Sequence, residues 1–142
     1  MRALQPPSRI AHIAIAVKQI NTVMPFYEQV LGLQVERREE ITSERVHVAF
    51  IPIGDSYLEL LEPADDECSI AHFINKKGEG IHHIAFEVMN LQERITHYAL
   101  HGVPVIGEQI KEGALGMDIA FIHPKAAHNV LVELCQPRGA DR

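Results

Sequence analysis

Two histidines and two glutamates occupy matching positions of a sequence repeat. The stretch "GIHHIAFEVMNL" nearly repeats the earlier stretch "RIAHIAIAVKQI", and the repeat aligns His83 with His12. Further along each copy, "LELLEP" aligns with "VELCQP", which places Glu59 over Glu133. Imidazole nitrogens and carboxylate oxygens suit divalent ions such as Mn, Fe, Co, Ni or Zn. If the two copies pair about a pseudo-twofold axis, these four side chains predict one metal site with open positions for water or substrate.

A simpler explanation exists for each of these residues taken singly. A histidine on a strand is more often a structural residue than a metal ligand, and a strand glutamate beside a leucine usually faces solvent. Four candidate ligands at matched positions of a duplicated segment are much harder to explain by chance. The duplication therefore favours the metal hypothesis for His12, Glu59, His83 and Glu133.

The first copy predicts the elements that must position its two candidate ligands. Alternating apolar residues around His12 predict a strand, and "NTVMPFYEQVLG" predicts a helix that is capped by Asn21 and stops at Gly32. Because alternate side chains of a strand share a face, His12 should lie with Ala14 and Ala16, while the branched residues face the helix. Three runs then predict further strands, "LQVERREE", "RVHVAFIPI" and "SYLELLEP".

The second copy predicts the same order of elements. A strand starts at His83, Asn90 and Glu93 resemble a capping box, and the helix stops at Gly102. Strands then fit "VPVIGEQI", "GMDIAFIHP" and "NVLVELCQP". We therefore predict an α+β fold in which two βαβββ modules form a curved, mostly antiparallel sheet. The expected single domain covers residues 9–137, with module one at 9–63, a connecting helix at 64–79 and module two at 80–137.

Composition argues against several classes of protein. The 13 Lys and Arg against 19 Asp and Glu give a net charge of −6, which is not the basic footprint of a nucleic-acid binder. No apolar run approaches the roughly 18 residues that a membrane span requires. Cys68 and Cys135 lack metal-ligand spacing and are expected to be free thiols in a reducing compartment. We expect a cytoplasmic protein that binds neither nucleic acid nor membrane.

The other histidines form weaker patterns. His82 neighbours His83 and should point to the opposite face of the strand. His97 and His101 are four residues apart on the second predicted helix and could form a surface metal pair. Without an evident third ligand, a solvent-facing helix surface is the favoured interpretation of that pair.

Five stretches carry a resemblance to a known family: "FYEQVLGL", "LELLEP", "GEGIHHIAFEV", "IAFIHPK" and "VLVEL". They resemble the vicinal oxygen chelate superfamily and, within it, the methylmalonyl-CoA epimerases, over about Arg9 to Gln136. The resemblance implies that His12, Glu59, His83 and Glu133 are metal ligands, in agreement with the repeat. Where many epimerases have a glycine-rich "HPKSTGGVL", this chain has "HPKAAHNVL", which changes residues 126–129.

The resemblance also implies an activity. Such an isomerase interconverts (R)- and (S)-methylmalonyl-CoA by α-proton transfer through an enolate, with a divalent cation of the Co, Mn, Ni or Zn type as cofactor. Some members carry a glutamate on the third strand where this chain has Val48, so Glu133 and Glu59 are the first candidates for the acid–base pair. Glu87 is more simply interpreted as a solvated charge than as a catalytic helper. We expect an acyl-CoA substrate and a homodimer.

Two alternative functions are compatible with the same residues. A glyoxalase I type lactoylglutathione lyase uses a similar metal centre for proton transfer on a glutathione adduct. A metal-free protein that binds small molecules could use the same fold, because a fold alone does not establish chemistry.

Overall fold

The computed structural model describes residues 4–139, which form two compact units. The first unit is His12–His82. The second unit consists of the residues up to Ala11 together with the chain from His83 onward. The boundaries between the units fall inside strands β1 (Arg9–Ala16) and β5 (Gly80–Glu87).

The first unit has the predicted βαβββ order. After β1 come α1 (Ile20–Pro25), β2 (Arg37–Ile41), β3 (Val46–Ile53) and β4 (Ser56–Pro63), followed by the connecting helix α2 (Ser69–Lys77). The strands lie in the order β2-β3-β4-β1. β4 pairs parallel to β1, whereas the pairs β2/β3 and β3/β4 are antiparallel.

The second unit repeats this arrangement. After β5 come α3 (Leu91–Leu100), β6 (Lys111–Glu112), β7 (Met117–Ile122) and β8 (Val132–Pro137). The strands lie in the order β5-β8-β7-β6, with β5/β8 parallel and the pairs β6/β7 and β7/β8 antiparallel. The prediction of two βαβββ modules with mostly antiparallel strand pairing is therefore confirmed.

Each unit packs its helix against the branched side chains of its strands. In the first unit, Val17 and Leu60 form a core with Ile20 and Met24 of the α1 region, and Ile15 packs against this core. The corresponding core of the second unit consists of Val88, Leu91, Ile95, Val105, Ala120, Ile122 and Leu134. Of the branched residues of β1, Ile15 packs on this core with α1, as predicted, while Ala14 and Ala16 are fully buried.

The two helix starts differ from the predicted caps. α1 begins at Ile20, one residue before Asn21, and its first N–H donates to Oε1 of Glu62 at 2.7 Å. Asn90 does precede α3, but its backbone is left-handed and its side chain makes no capping hydrogen bond. Instead, the Leu91 N–H donates to the side-chain oxygen of Gln136 at 2.8 Å. In both units, a strand residue distant in sequence replaces the local cap, which a local sequence pattern does not reveal.

The first helix also changes geometry near its end. Pro25 has no N–H to donate, and the chain continues from α1 as a wider π-helical turn, Phe26–Val30. The Leu31 N–H donates to the carbonyl oxygen of Phe26 at 3.1 Å, and Gly32 then takes a left-handed φ of 73°. The predicted stop at Gly32 is confirmed. The predicted stop at Gly102 is likewise confirmed, since α3 ends at Leu100.

Two predicted strands were wrong in extent. Of "LQVERREE", only the residues from Arg37 onward are in β2. The run "VPVIGEQI" forms no named strand: Val105 makes a single bridge to Ile122, and a 3-10 turn follows at Ile106–Glu108. Gly107, with φ of 75°, ends the extended backbone there, so the edge strand β6 begins later and has only two residues.

Two further observations concern the cysteines and the helices. Cys68 and Cys135 are buried and have free thiols. None of the helices within residues 4–139 is long and apolar enough to cross a membrane.

Truncation of the first core should be strongly destabilising. Leu60 is fully buried at the centre of the β4 strand that also carries Glu59. We expect Leu60→Ala to lower the free energy of unfolding by about 2–5 kcal/mol, because it leaves a cavity in a packed core. Urea unfolding followed by circular dichroism measures this loss. Ile53→Ala is the matched control, since Ile53 is 46% exposed and its truncation should cost about 1 kcal/mol or less. Equal losses in both variants would contradict the assignment of Leu60 to the core.

Candidate metal centre

The first unit holds His12 and Glu59 side by side. His12 is on β1 and Glu59 on β4, and the parallel pairing of these strands places Ala14 opposite Glu59. His12 Nδ1 lies 3.0 Å from Glu59 Oε2. Glu59 is 6% exposed, so its carboxylate sits against protein rather than in bulk water.

The second unit holds His83 and Glu133 in the same way. Parallel pairing of β5 and β8 places Ala85 opposite Glu133, and His83 Nε2 lies 3.2 Å from Glu133 Oε1. Glu133 is 4% exposed and His83 is buried as well. In both units, the histidine lies two residues before an alanine, and that alanine pairs with the glutamate on the neighbouring strand. The repeat in the sequence thus becomes a repeat of strand register.

Each His–Glu pair has a neighbouring phenylalanine that was not predicted from the sequence. Phe50 of β3 is opposite Glu59, and Phe121 of β7 is opposite Glu133. The Phe121 ring packs edge-on against the His83 imidazole, with centroids 5.4 Å apart. These phenylalanines had a signal in the sequence, because both lie in a repeated "AFI" triplet.

The geometry of each pair fits two ligands of one divalent ion. Ligand atoms that bind one ion at right angles, each about 2.1 Å from it, lie about 3.0 Å apart. The N···O distances of 3.0 Å and 3.2 Å agree with that spacing. An imidazole beside a buried carboxylate is also the donor set that Mn, Co, Ni and Zn accept. The residues present therefore fit a divalent cation.

Other residues considered from the sequence have structural roles. Glu87 forms an ion pair with Arg9 at 2.9 Å, which explains its charge without a catalytic function. The His82 ring packs against Phe73, with centroids 4.9 Å apart. Val48 is 1% exposed and, as an alkyl side chain, cannot exchange a proton.

The altered loop after β7 keeps a backbone that favours glycine. His128 and Asn129 both have positive φ, 54° and 74°, although neither is glycine. The Asn129 N–H donates to the carbonyl oxygen of Pro124 at 2.8 Å, which closes the loop. The chain thus adopts left-handed conformations at the two positions where the epimerase pattern has glycines.

Comparison with known proteins agrees with this fold. A family model described as Glyoxalase/Bleomycin resistance protein/Dioxygenase superfamily matches residues 11–121. The uncharacterized protein YqjC of Bacillus subtilis (strain 168) is 42% identical over 132 residues, which cover 93% of this chain and 94% of YqjC. The mitochondrial methylmalonyl-CoA epimerase of Homo sapiens is 36% identical over 129 residues, which cover 90% of this chain and 73% of that protein.

A solved structure is similar over nearly the whole chain. It is a variant of Streptomyces coelicolor methylmalonyl-CoA epimerase in complex with 2-nitronate-propionyl-CoA, with a TM-score of 0.89 and 32% sequence identity. The match covers 96% of this chain and 99% of that chain. From the repeated βαβββ units, the family match and these relatives together, we conclude that the chain belongs to the glyoxalase/bleomycin resistance protein/dioxygenase superfamily and groups within it with the methylmalonyl-CoA epimerases.

Proposed function

We propose that this chain is a metal-dependent epimerase that interconverts (R)- and (S)-methylmalonyl-CoA. The observation that carries the proposal is the pair of a histidine with a buried glutamate that occurs once in each unit, in the same strand register. The names of the relatives support it, because the human protein is a methylmalonyl-CoA epimerase and the Streptomyces protein was solved with an acyl-CoA ligand.

The proposed metal ligands are one pair from each unit, namely His12, Glu59, His83 and Glu133. Two imidazole nitrogens and two carboxylate oxygens suit Co, Mn, Ni or Zn. A divalent ion bound there would supply positive charge that stabilises the negative charge of an enolate. The duplication supports the proposal, since each unit contributes an equivalent pair of donors.

The two glutamates are the proposed acid–base pair. Epimerisation breaks the C–H bond at a carbon between a thioester and a carboxylate, and its electron pair moves into the thioester carbonyl. One glutamate takes up that proton on a carboxylate oxygen, and the other, as the acid, gives a proton to the opposite face of the carbon. Glu59 and Glu133 are the first candidates for these roles because Val48 stands where some epimerases carry a glutamate.

Strand register and neighbouring side chains would keep each pair in place. His12 Nδ1 lies 3.0 Å from Glu59 Oε2 and His83 Nε2 lies 3.2 Å from Glu133 Oε1, so the strand pairing already brings the two donors of each pair together. Phe121 restrains the His83 ring, and alanines opposite the glutamates leave space beside the carboxylates. The expected homodimer and the acyl-CoA specificity stay predictions.

Exchange of the substrate α-proton tests the proposal directly. We expect the purified chain to incorporate deuterium from deuterated buffer at the α-carbon of methylmalonyl-CoA, as measured by NMR or mass spectrometry. A chelator should abolish this exchange, and an added divalent ion should restore it, because the enolate then regains its stabilising charge.

Three outcomes would contradict the proposed function. If chelation leaves the proton exchange unaffected, the reaction does not require a metal ion. Metal-loaded protein that exchanges no proton on methylmalonyl-CoA but isomerises the glutathione adduct of methylglyoxal would instead support a lactoylglutathione lyase. Protein that binds small molecules without metal and catalyses neither reaction would support the metal-free binding function.

A further inference from the structure

A second histidine pair lies on α3, outside the proposed centre. His97 is in the last turn of the helix, and His101 is the residue that caps its C-terminal end. Their ring centroids are 4.5 Å apart, with the ring planes 35° from parallel. His101 is exposed and His97 half-buried, so solvent ions can reach the pair.

The hydrogen bond of His101 determines which ring nitrogen is available. His101 Nδ1 lies 2.8 Å from the carbonyl oxygen of His97. A carbonyl oxygen only accepts, so Nδ1 must carry the proton and donate it. The neutral imidazole then has its lone pair on Nε2. Histidines that bind metals usually have this arrangement, with the other ring N–H donated to a carbonyl or carboxylate.

The distance between the rings fits binding of one ion by both. An imidazole centroid lies roughly 3.2 Å from a metal bound to its Nε2, so two imidazoles on one ion have centroids roughly 4.5 to 5.2 Å apart. The centroid separation of 4.5 Å corresponds to two nitrogens that bind the ion at nearly a right angle to each other. Residues four apart on a helix are neighbours on its surface, which explains the proximity.

The charges around the pair also favour a cation. The last carbonyl groups of α3 give its C-terminal end partial negative charge. His97 is the one basic residue in the last turn of α3, so no lysine or arginine of that turn repels an ion. Glu93 is one turn before His97 on the exposed side of the helix and adds a negative charge.

We propose that His97 and His101 form a two-imidazole binding site for a divalent transition-metal ion such as Cu²⁺, Ni²⁺ or Zn²⁺. Water completes the coordination, and the ion crosslinks the last turn of α3. The site lies wholly within the second unit, and it uses none of the four ligands proposed for the epimerase centre. The chain thus has two classes of metal site, of which the helix site is the weaker because it has only two protein ligands.

Titration with Ni²⁺ tests this proposal on the full, tag-free chain. Isothermal calorimetry of the wild type should resolve a tight and a weaker class of Ni²⁺ sites. His97→Gln and His101→Gln should each weaken the weaker class by about tenfold or more, because one nitrogen ligand is lost. Cu²⁺ bound at that class should show nitrogen coupling from two imidazoles by electron paramagnetic resonance in the wild type and from one in each variant.

His72→Gln is the matched control. His72 is an exposed histidine on the helix α2, but the residues four positions from it are Cys68 and Lys76, so it has no histidine partner on its face. Its substitution should leave both classes unchanged. The proposal is overturned if the wild type has no weaker class, or if the His97 and His101 variants bind Ni²⁺ as the His72 variant does. Proton exchange on methylmalonyl-CoA should be unaffected in all three variants, so the failure of this site and the failure of the proposed function are distinguishable.

Discussion

Glu133→Gln and Glu59→Gln are each expected to lower the rate of interconversion of (R)- and (S)-methylmalonyl-CoA by about 10²- to 10⁴-fold, the usual contribution of a general acid or base. The amide has nearly the shape of the carboxylate and keeps an oxygen that can bind a metal, but it does not take up a proton from carbon. Both carboxylates are buried beside a histidine, so the substitution changes the chemistry with little change in volume.

The two variants should differ in which stereoisomer still reacts. If each glutamate serves one face of the carbon, each variant retains α-proton exchange on one stereoisomer while it loses inversion. Starting from each stereoisomer in deuterated buffer, NMR measures exchange and chiral analysis measures inversion. Metal content, measured on the same samples, separates loss of the base from loss of the ion.

Glu87→Gln is the control for this experiment. Glu87 is a glutamate of β5 whose carboxylate pairs with Arg9, so its amide should affect stability slightly and the rate of interconversion little. Full interconversion by Glu133→Gln or Glu59→Gln would exclude that residue as an acid or base. An equal loss in Glu87→Gln would show that Glu87 contributes to catalysis.

His12→Ala and His83→Ala are each expected to lower metal affinity by at least about 100-fold and to abolish the exchange of the α-proton. Each removes one proposed nitrogen ligand, and loss of a direct ligand should exceed the 10- to 100-fold effect typical of supporting residues. Plasma emission spectrometry of dialysed protein measures the bound metal, and circular dichroism verifies folding.

His82→Ala is the adjacent control. His82 is next to His83 on β5, and its ring contacts Phe73. The His82→Ala variant should bind metal as the wild type does. Since His83→Ala also leaves a buried carboxylate without its imidazole, some loss of stability is expected, and His83→Gln provides a polar alternative if the alanine variant folds poorly. Full metal occupancy in His12→Ala or in His83→Ala would show that the substituted histidine is not a ligand.

The sequence by itself determined the βαβββ order and the equivalence of the two candidate pairs. Period-two alternation locates β1, and strand-like runs on either side of the turn signal Gly54-Asp55 locate β3 and β4. Gly32 and Gly102 mark the helix ends, since both take the left-handed backbone that favours glycine. His12, Glu59, His83 and Glu133 were found because a duplicated segment displays its preserved residues when it is aligned with itself.

Only the tertiary structure decided features that depend on residues distant in the chain. Gln136 takes the capping role expected of Asn90, and the predicted strand at 103–110 is replaced by a bridge and a turn around Gly107. The tertiary structure also set the register of β1 with β4 and of β5 with β8. That register brings His12 to 3.0 Å from Glu59 and His83 to 3.2 Å from Glu133. Local patterns specify which face a side chain occupies. Strand pairing sets which atoms meet, because its register is selected by the packing of the whole unit rather than by neighbours in the sequence.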